Sequence, residues 1–229
     1  MGRSILGMFC FFVIVMVAIP AWSKDQQRGF MQLPEPTLDG TVSVERAIKE
    51  RRTIRAFRPD SMGMAQLSQL LWAAQGITDE RRGFRSAPSG GALYPLDVYV
   101  VVGERGVEGL RAGIYRYHPA HHSLESIGPG DGRKKVAGAA LSQTWIATAP
   151  VIFIITAEYE RITQKYGERG IRYAHIEVGH VGENIFLQAG ALGLGAGIVG
   201  AFRDASVAEA INAPGEHEPL IIIPVGYKQ

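Results

Sequence analysis

Arg51, Arg52, Thr53 and Arg55 crowd into one short stretch, "RRTIRAF". Guanidinium forks grip phosphate oxygens two bonds at a time, and a neighbouring hydroxyl adds a further bond. Such a cluster is either an anion grip or a solvated charged face. A second stretch, "RSAPSGGALYPL" from Arg85 to Leu96, is rich in glycine, proline and serine, so its backbone is kinked and partly bare. A loop of that kind lets main-chain N–H groups approach a ligand closely, although a structural turn has the same composition.

Three further patterns look chemical but lack the context their chemistry needs. Gly195, Gly197 and Gly200 spell G-x-G-x-x-G, yet a dinucleotide site needs a strand before and a helix after, and here the order is reversed. Glu177 and His180 have the E-x-x-H spacing of carboxylate metal bundles, which require a second copy that this chain does not contain. His118, His121 and His122 crowd a turn where they would bind a divalent ion weakly, and a solvated turn explains them better. No metal site is expected.

The elements that must carry these residues follow from hydrophobic spacing. "SVERAIKERR" predicts a short helix with Ser43 as N-cap, delivering its C-terminus into the cations. "MAQLSQLLWAAQG" repeats the helical pattern and stops at Gly76. "LDVYVVVG" and "PVIFIITAE" read as central strands, the second buried on both faces. "AGIYRYHPAHHSLESI" predicts a hairpin turning at Pro119 to His122, and "RKKVAGAAL" a helix. A long apolar helix is expected from Ile171 to Leu194, with almost no charge after Glu183, so it lies in a core or a subunit interface. "AGIVGAF" then reads as a strand or strand end, "DASVAEAIN" as a helix capped by Asp204, and "EPLIIIPVGY" as a last buried strand. The class is α+β, a three-layer arrangement of a mixed sheet with helices on both faces.

Composition bounds the rest. The N-terminus offers Arg3, an apolar run from Ile5 to Ile19, Pro20 and the trio Ala21, Trp22, Ser23, the layout of a signal peptide over residues 1–23. An uncleaved membrane anchor is the alternative. Cys10, the single cysteine, lies inside that run without a lipobox, so the remainder has neither disulfide nor thiol chemistry. Residues 24–42 read as an N-terminal extension and 43–229 as one domain. With 24 basic and 22 acidic residues the chain is nearly neutral, and nothing in that balance implies nucleic acid.

The stretches "RRTIRAF", "APSGGALYP", "KYGERGIRYAHIEVGH", "LQAGALGLG" and "PVGY", taken together and in order, resemble the nitroreductase superfamily, and within it the SagB/ThcOx-type dehydrogenases. The resemblance implies a homodimer that binds FMN at its interface, with both chains contributing to each flavin. Carried onto this sequence, it assigns Arg51, Arg52, Thr53 and Arg55 to the FMN phosphate and ribityl chain. It assigns Pro88, Ser89, Gly90, Ala92 and Leu93 to the isoalloxazine ring, and Ile198, Val199, Gly200 and Ala201 to the segment that backs the ring near N5. Many relatives have a further basic phosphate ligand near the C-terminus; Lys228 substitutes for it, or the phosphate grip is weaker. Lys165 and Tyr166, in "KYG", match a Lys-Tyr pair that assists proton transfer in thiazoline-oxidising relatives, or are a surface lysine beside a packed tyrosine.

The implied activity is FMN-dependent oxidoreduction by ping-pong hydride transfer through flavin N5, serving a dehydrogenase or a nitro or quinone reductase. A non-catalytic periplasmic flavin-binding or partner-binding protein is the alternative from another class, and a peptide-maturation enzyme a third. Export leaves the electron donor open, because reduced nicotinamides are scarce outside the cytoplasm. Mass spectrometry of the native protein is expected to find an N-terminus near Lys24 and no lipid on Cys10; an intact Met1 in the membrane fraction would mark the anchor instead.

Overall fold

The computed structural model describes residues 29–229. The expected signal peptide over residues 1–23, with Cys10, lies outside the described residues. Three apolar strands form the centre: β4 (Leu96–Val102), β7 (Val151–Ala157) and β9 (Glu218–Tyr227). Every residue of β7 is buried. Alternation along the strands sends Val98, Val100, Phe153, Ile155 and Ile223 to one face and Tyr99, Val101, Ile152, Ile154 and Ile222 to the other. The first face is covered by helices α2 (Met64–Gln75) and α5 (Arg169–Ala191), the second by α3 (Arg133–Ala139) and α6 (Asp204–Ala210). Full burial of such side chains contributes about 1.5–3 kcal/mol each, which is why both faces acquire a helical layer.

With β1 (Phe30–Gln32), β5 (Gly113–His118), β6 (Ser123–Pro129) and β8 (Leu194–Ala196), the sheet has seven strands in the order β1-β6-β5-β4-β7-β9-β8. The α+β, three-layer expectation is met, with a difference in strand direction. All pairings between these strands are antiparallel, and among the described residues parallel pairing enters only as two isolated bridges, Thr53 to Ala196 and Met62 to Val107. Continuous apolar runs report burial on two faces and carry no information about direction. Strand β1 falls in the stretch read as an extension, and extends the sheet by pairing with β6.

Helix α1 (Val44–Glu50) starts where expected, with Ser43 Oγ accepting from the Arg46 N–H at 3.2 Å. Helix α5 begins at Arg169 and ends at Ala191, short of Leu194, because Gly193 at φ +74° reverses the chain into β8. Asp204 is the first residue of α6 rather than its cap, a position held by Arg203. The expected strand "AGIVGAF" is strand only at its first residue, beyond which Val199 alone bridges Ile222. Three elements had no clear signal in the sequence: the small ribbon of β2 (Ile77–Asp79) and β3 (Phe84–Arg85), and helix α4 (Glu160–Tyr166), which Gly167 at φ +58° separates from α5. Among the described residues no helix is long and apolar enough to cross a membrane.

The hairpin histidines are not one solvated group. His121 is exposed and His118 pairs with Glu125 at 2.8 Å. The His122 ring is a structural pin, bonded to the Tyr117 hydroxyl at 2.8 Å, Ser68 Oγ at 2.7 Å and the Pro34 carbonyl at 3.0 Å. Burial lowers its pKa from the ordinary 6.5, against the opposing pull of the Pro34 carbonyl and Glu35. Burial likewise lowers that of His217, against Asp97 and Glu158 and with the help of Arg116 and Arg161. For both, the unfolded chain binds more protons below about pH 6.5, so their contribution to stability is complete above that pH and is lost below it. The melting temperature is therefore expected to fall between pH 7.5 and pH 5, with a shallower slope in His122→Gln; equal slopes in the two proteins would remove His122 from this account.

Candidate functional site

The cationic stretch leaves α1 as an extended segment and lies alongside β8. The Ile54 N–H donates to the Ala196 carbonyl at 2.8 Å, and Phe57 bridges Lys228 in antiparallel fashion. Two glycines permit this approach: a Cβ on Gly195 would stand 2.8 Å from Ile54 Cγ1, and one on Gly197 2.7 Å from the Ile54 carbonyl oxygen. The glycines of the apparent dinucleotide motif thus serve backbone packing. Arg51, Thr53, Arg55 and Lys228 are gathered at this edge. Arg51 lies 5.7 Å from the Phe186 ring centroid and 3.9 Å from Glu183, and Arg55 5.8 Å from the Trp145 ring centroid. Arg52 is engaged elsewhere, its Nη1 donating to the carbonyls of Lys49 and Arg51 at 3.0 and 2.7 Å, which closes the end of α1.

The segment after β8 alternates. Val199 exchanges backbone bonds with Ile222 and is buried, while Ile198 is 44% exposed and Gly200 has open space where a side chain would stand. Of the residues expected to back the ring, Ile198, Gly200 and Ala201 face outward and Val199 faces the core. The edge therefore combines guanidinium groups, an ammonium group and an open apolar shelf. That combination fits a phosphate-bearing cofactor with a flat ring, such as FMN.

The loop "APSGGALYP" is built differently. Gly90–Ala92 form a 3₁₀ turn, and Gly91, Ala92 and Tyr94 have φ of 66°, 55° and 48°. Left-handed backbone at Ala92 and Tyr94 is strained and persists only where surroundings hold it. A chain of hydrogen bonds from Ser89 to Glu177 does so. Ser89 Oγ accepts from the Tyr94 N–H at 2.9 Å, the Tyr94 hydroxyl accepts from the Arg85 N–H at 3.1 Å, and Arg85 Nη1 donates to Gln75 at 3.1 Å. Gln75 donates to Glu177 Oε1 at 3.4 Å. Glu177 is 1% exposed, and burial raises its pKa against the opposing pull of the Ser89 hydroxyl, the Gln75 hydrogen bond and the charge of Arg85.

Lys165 and Tyr166 lie directly against this loop. A Cβ on Gly91 would stand 2.6 Å from the Tyr166 hydroxyl and 3.2 Å from Lys165 Nζ. Tyr166 packs edge-on against Tyr173 at 5.2 Å, and Lys165 is exposed. Pro88 is exposed, while Ser89, Gly90 and Leu93 are half-buried. Sequence reasoning missed Glu177 as a support for the loop, having weighed it only with His180, which is exposed. The available signal was its place in the helical period of Ala174, Val178, Val181 and Ile185, where a carboxylate at a core position demands a partner.

Two sets of residues result, both laid along α5: the loop at Tyr173 and Glu177, the basic edge at Glu183 and Phe186. Among the described residues no hydrogen bond or ion pair joins the sets directly. A third cluster, Asp97, Glu158 and His217, brings its ligand atoms within 4.8 Å of one another, but the Arg161 guanidinium pairs with both carboxylates and already supplies the counter-charge.

Comparison with known proteins gives one consistent answer. Residues 48–227 match the Nitroreductase family. A Methanocaldococcus jannaschii protein named "Putative nitroreductase MJ1384" is 43% identical over 198 residues, 86% of this chain and 97% of that protein. The microcin B17-processing protein McbC of Escherichia coli is 27% identical over 158 residues, 67% of this chain and 57% of that protein, in agreement with the SagB/ThcOx-type resemblance. The crystal structure of a "putative nitroreductase" from Ralstonia eutropha JMP134 superposes with a TM-score of 0.77 at 28% identity, covering 88% of this chain and 90% of that one. With a family match that runs from inside α1 to the last residue of β9, and a full-length relative at this identity, the chain belongs to the nitroreductase family.

Proposed function

We propose that the protein is an exported, homodimeric, FMN-dependent oxidoreductase that moves a hydride between two small-molecule substrates in alternating half-reactions. The observation that carries this reading is the junction of three separated stretches: the bridges Thr53–Ala196 and Phe57–Lys228 bring Arg51, Arg55 and Lys228 beside the open shelf of Ile198, Gly200 and Ala201. Bound FMN would supply the redox chemistry, taking up and giving back hydride. Arg51, Arg55 and Lys228 would hold its phosphate, Thr53 would add a hydroxyl contact, and Ile198 to Ala201 would back its ring. Pro88 to Leu93 would lie against the ring of the partner subunit's site, which accounts for two sets of residues that do not meet within one chain. Exposed apolar side chains on and near α5 support a dimer: Ile176 is 51% exposed, Val44 65% and Ile48 56%.

Replacing Arg51 and Arg55 together by alanine removes two charge-assisted contacts worth about 1.5–3 kcal/mol each, so FMN affinity is expected to fall by two to four powers of ten. Light scattering of the FMN-loaded wild type is expected to give twice the chain mass. A fully yellow double variant, or a flavin-loaded monomer, would defeat the assignment of the site. FMN bound with no turnover of any donor would instead identify a non-catalytic flavin protein.

Lys165 and Tyr166, against the same loop, would hold and move a proton of the substrate. Lys165→Ala and Tyr166→Phe are expected to slow oxidation of a substrate that must lose a proton by about a hundredfold to ten-thousandfold, with FMN content unchanged. Wild-type rates in both variants would make the pair structural and the enzyme a simple reductase of nitro or quinone compounds.

A further inference from the structure

A pocket of about 300 Å³ lies between β4, the β5–β6 hairpin and α4, on the side of the loop that begins at Arg85. Its charged lining consists of Arg85, Asp97, Arg116, His118, His121 and Arg161. Three permanent cations therefore face one carboxylate. Asp97 is shared, its two oxygens 2.7 Å from Arg116 and 2.8 Å from Arg161. Arg161 also pairs with Glu158, and His118 with Glu125. Arg85 has no carboxylate within ion-pair distance among the described residues; its guanidinium rests 4.3 Å from the Tyr94 ring centroid and gives one hydrogen bond to Gln75. The Nε atoms of Arg85 and Arg116 are both buried and both lack a hydrogen-bond partner.

Buried guanidinium groups are rare without a paired anion, and donors left unmade in a protein interior are costly. Desolvation lowers the pKa of Arg85 against the opposing pull of Tyr94, Asp97 and Glu177, and the neighbouring Arg161 charge pushes in the same direction as desolvation. An anion among the three arginines relieves both effects. Guanidinium forks match the planar or tetrahedral oxygens of carboxylates and phosphates, and a cavity of this size is at the small end of ligand pockets.

We propose that this pocket binds a small oxyanion, a carboxylate or phosphate group, held by Arg85, Arg116 and Arg161 and separate from the basic edge at Arg51 and Arg55. Because Arg85 belongs to the hydrogen-bonded chain that runs through Tyr94 to Ser89, the occupant also contacts the support of the loop. The proposal does not depend on the flavin reading.

Isothermal titration of the purified protein with inorganic phosphate, and separately with succinate, tests it. Arg116→Gln and Arg85→Gln are each expected to weaken binding at one site by about ten- to a hundredfold. His121→Glu, at an exposed position on the pocket wall, brings a repelling charge without touching the arginine network and is expected to weaken the same site about tenfold. The Arg51→Ala, Arg55→Ala double variant is expected to keep that site, which separates failure of this proposal from failure of the flavin assignment. Tighter phosphate than succinate identifies a phosphate ligand, and the reverse a carboxylate. If neither anion binds, or if binding is lost with Arg51 and Arg55 while the Arg85, Arg116 and His121 variants retain it, the proposal is overturned.

Discussion

Strand β7 meets water on neither face, and its neighbours β4 and β9 share that condition over most of their length. A sheet of this kind needs a helical layer on each side. The layers differ in character. Short helices α3 and α6 cover one face, whereas the other is spanned by α5, whose 23 residues reach about 35 Å at 1.5 Å per residue. A single helix crossing the sheet becomes the common foundation for whatever is attached along it. Both sets of candidate site residues are attached there, and their separation follows from the length of α5.

The loop and the basic edge use opposite devices. At the edge, glycines 195 and 197 remove side-chain bulk so that an extended backbone can press against β8, leaving cations exposed. At the loop, polar atoms are buried in order to hold strained backbone. The chain of hydrogen bonds from Ser89 through Tyr94, Arg85 and Gln75 to Glu177 satisfies most of its donors and acceptors in an environment where unpaired ones are expensive. Glu177 Oε2 is an exception, buried without a partner. A raised carboxyl pKa is the expected response of such a group, since protonation reduces the desolvation penalty.

The cations divide in the same way. Arg51, Arg52 and Arg55 remain in contact with water, where charge is screened and costs little to leave unpaired. Arg85, Arg116 and Arg161 are drawn inward near Asp97, where fields are stronger; Arg116 and Arg161 are paired there, and Arg85 is not. One side of the molecule thus offers accessible positive charge to an arriving anion, and another holds confined positive charge around a small cavity.

The amino-acid sequence alone determined the strands and most of the helices, because apolar period and capping are local properties. Ser43, the continuous run "PVIFIITA" and the alternation of "GIYRYH" each report the burial of their own segment. It also marked the cationic stretch and the "APSGGALYP" loop as unusual, since arginine clusters and adjacent glycines are visible without coordinates. Strand direction, the inward turn of Val199 and the diversion of Arg52 to the end of α1 were not legible there, because each is decided by a neighbour distant in the chain. The same holds for Glu177, His122 and the three arginines around Asp97. A carboxylate or imidazole in a sequence has no partner until folding supplies one. Only the tertiary structure brought Gln75 to Glu177, Pro34 to His122, and Arg85 to the pocket it shares with Arg116 and Arg161, because burial and charge pairing are properties of the space between segments.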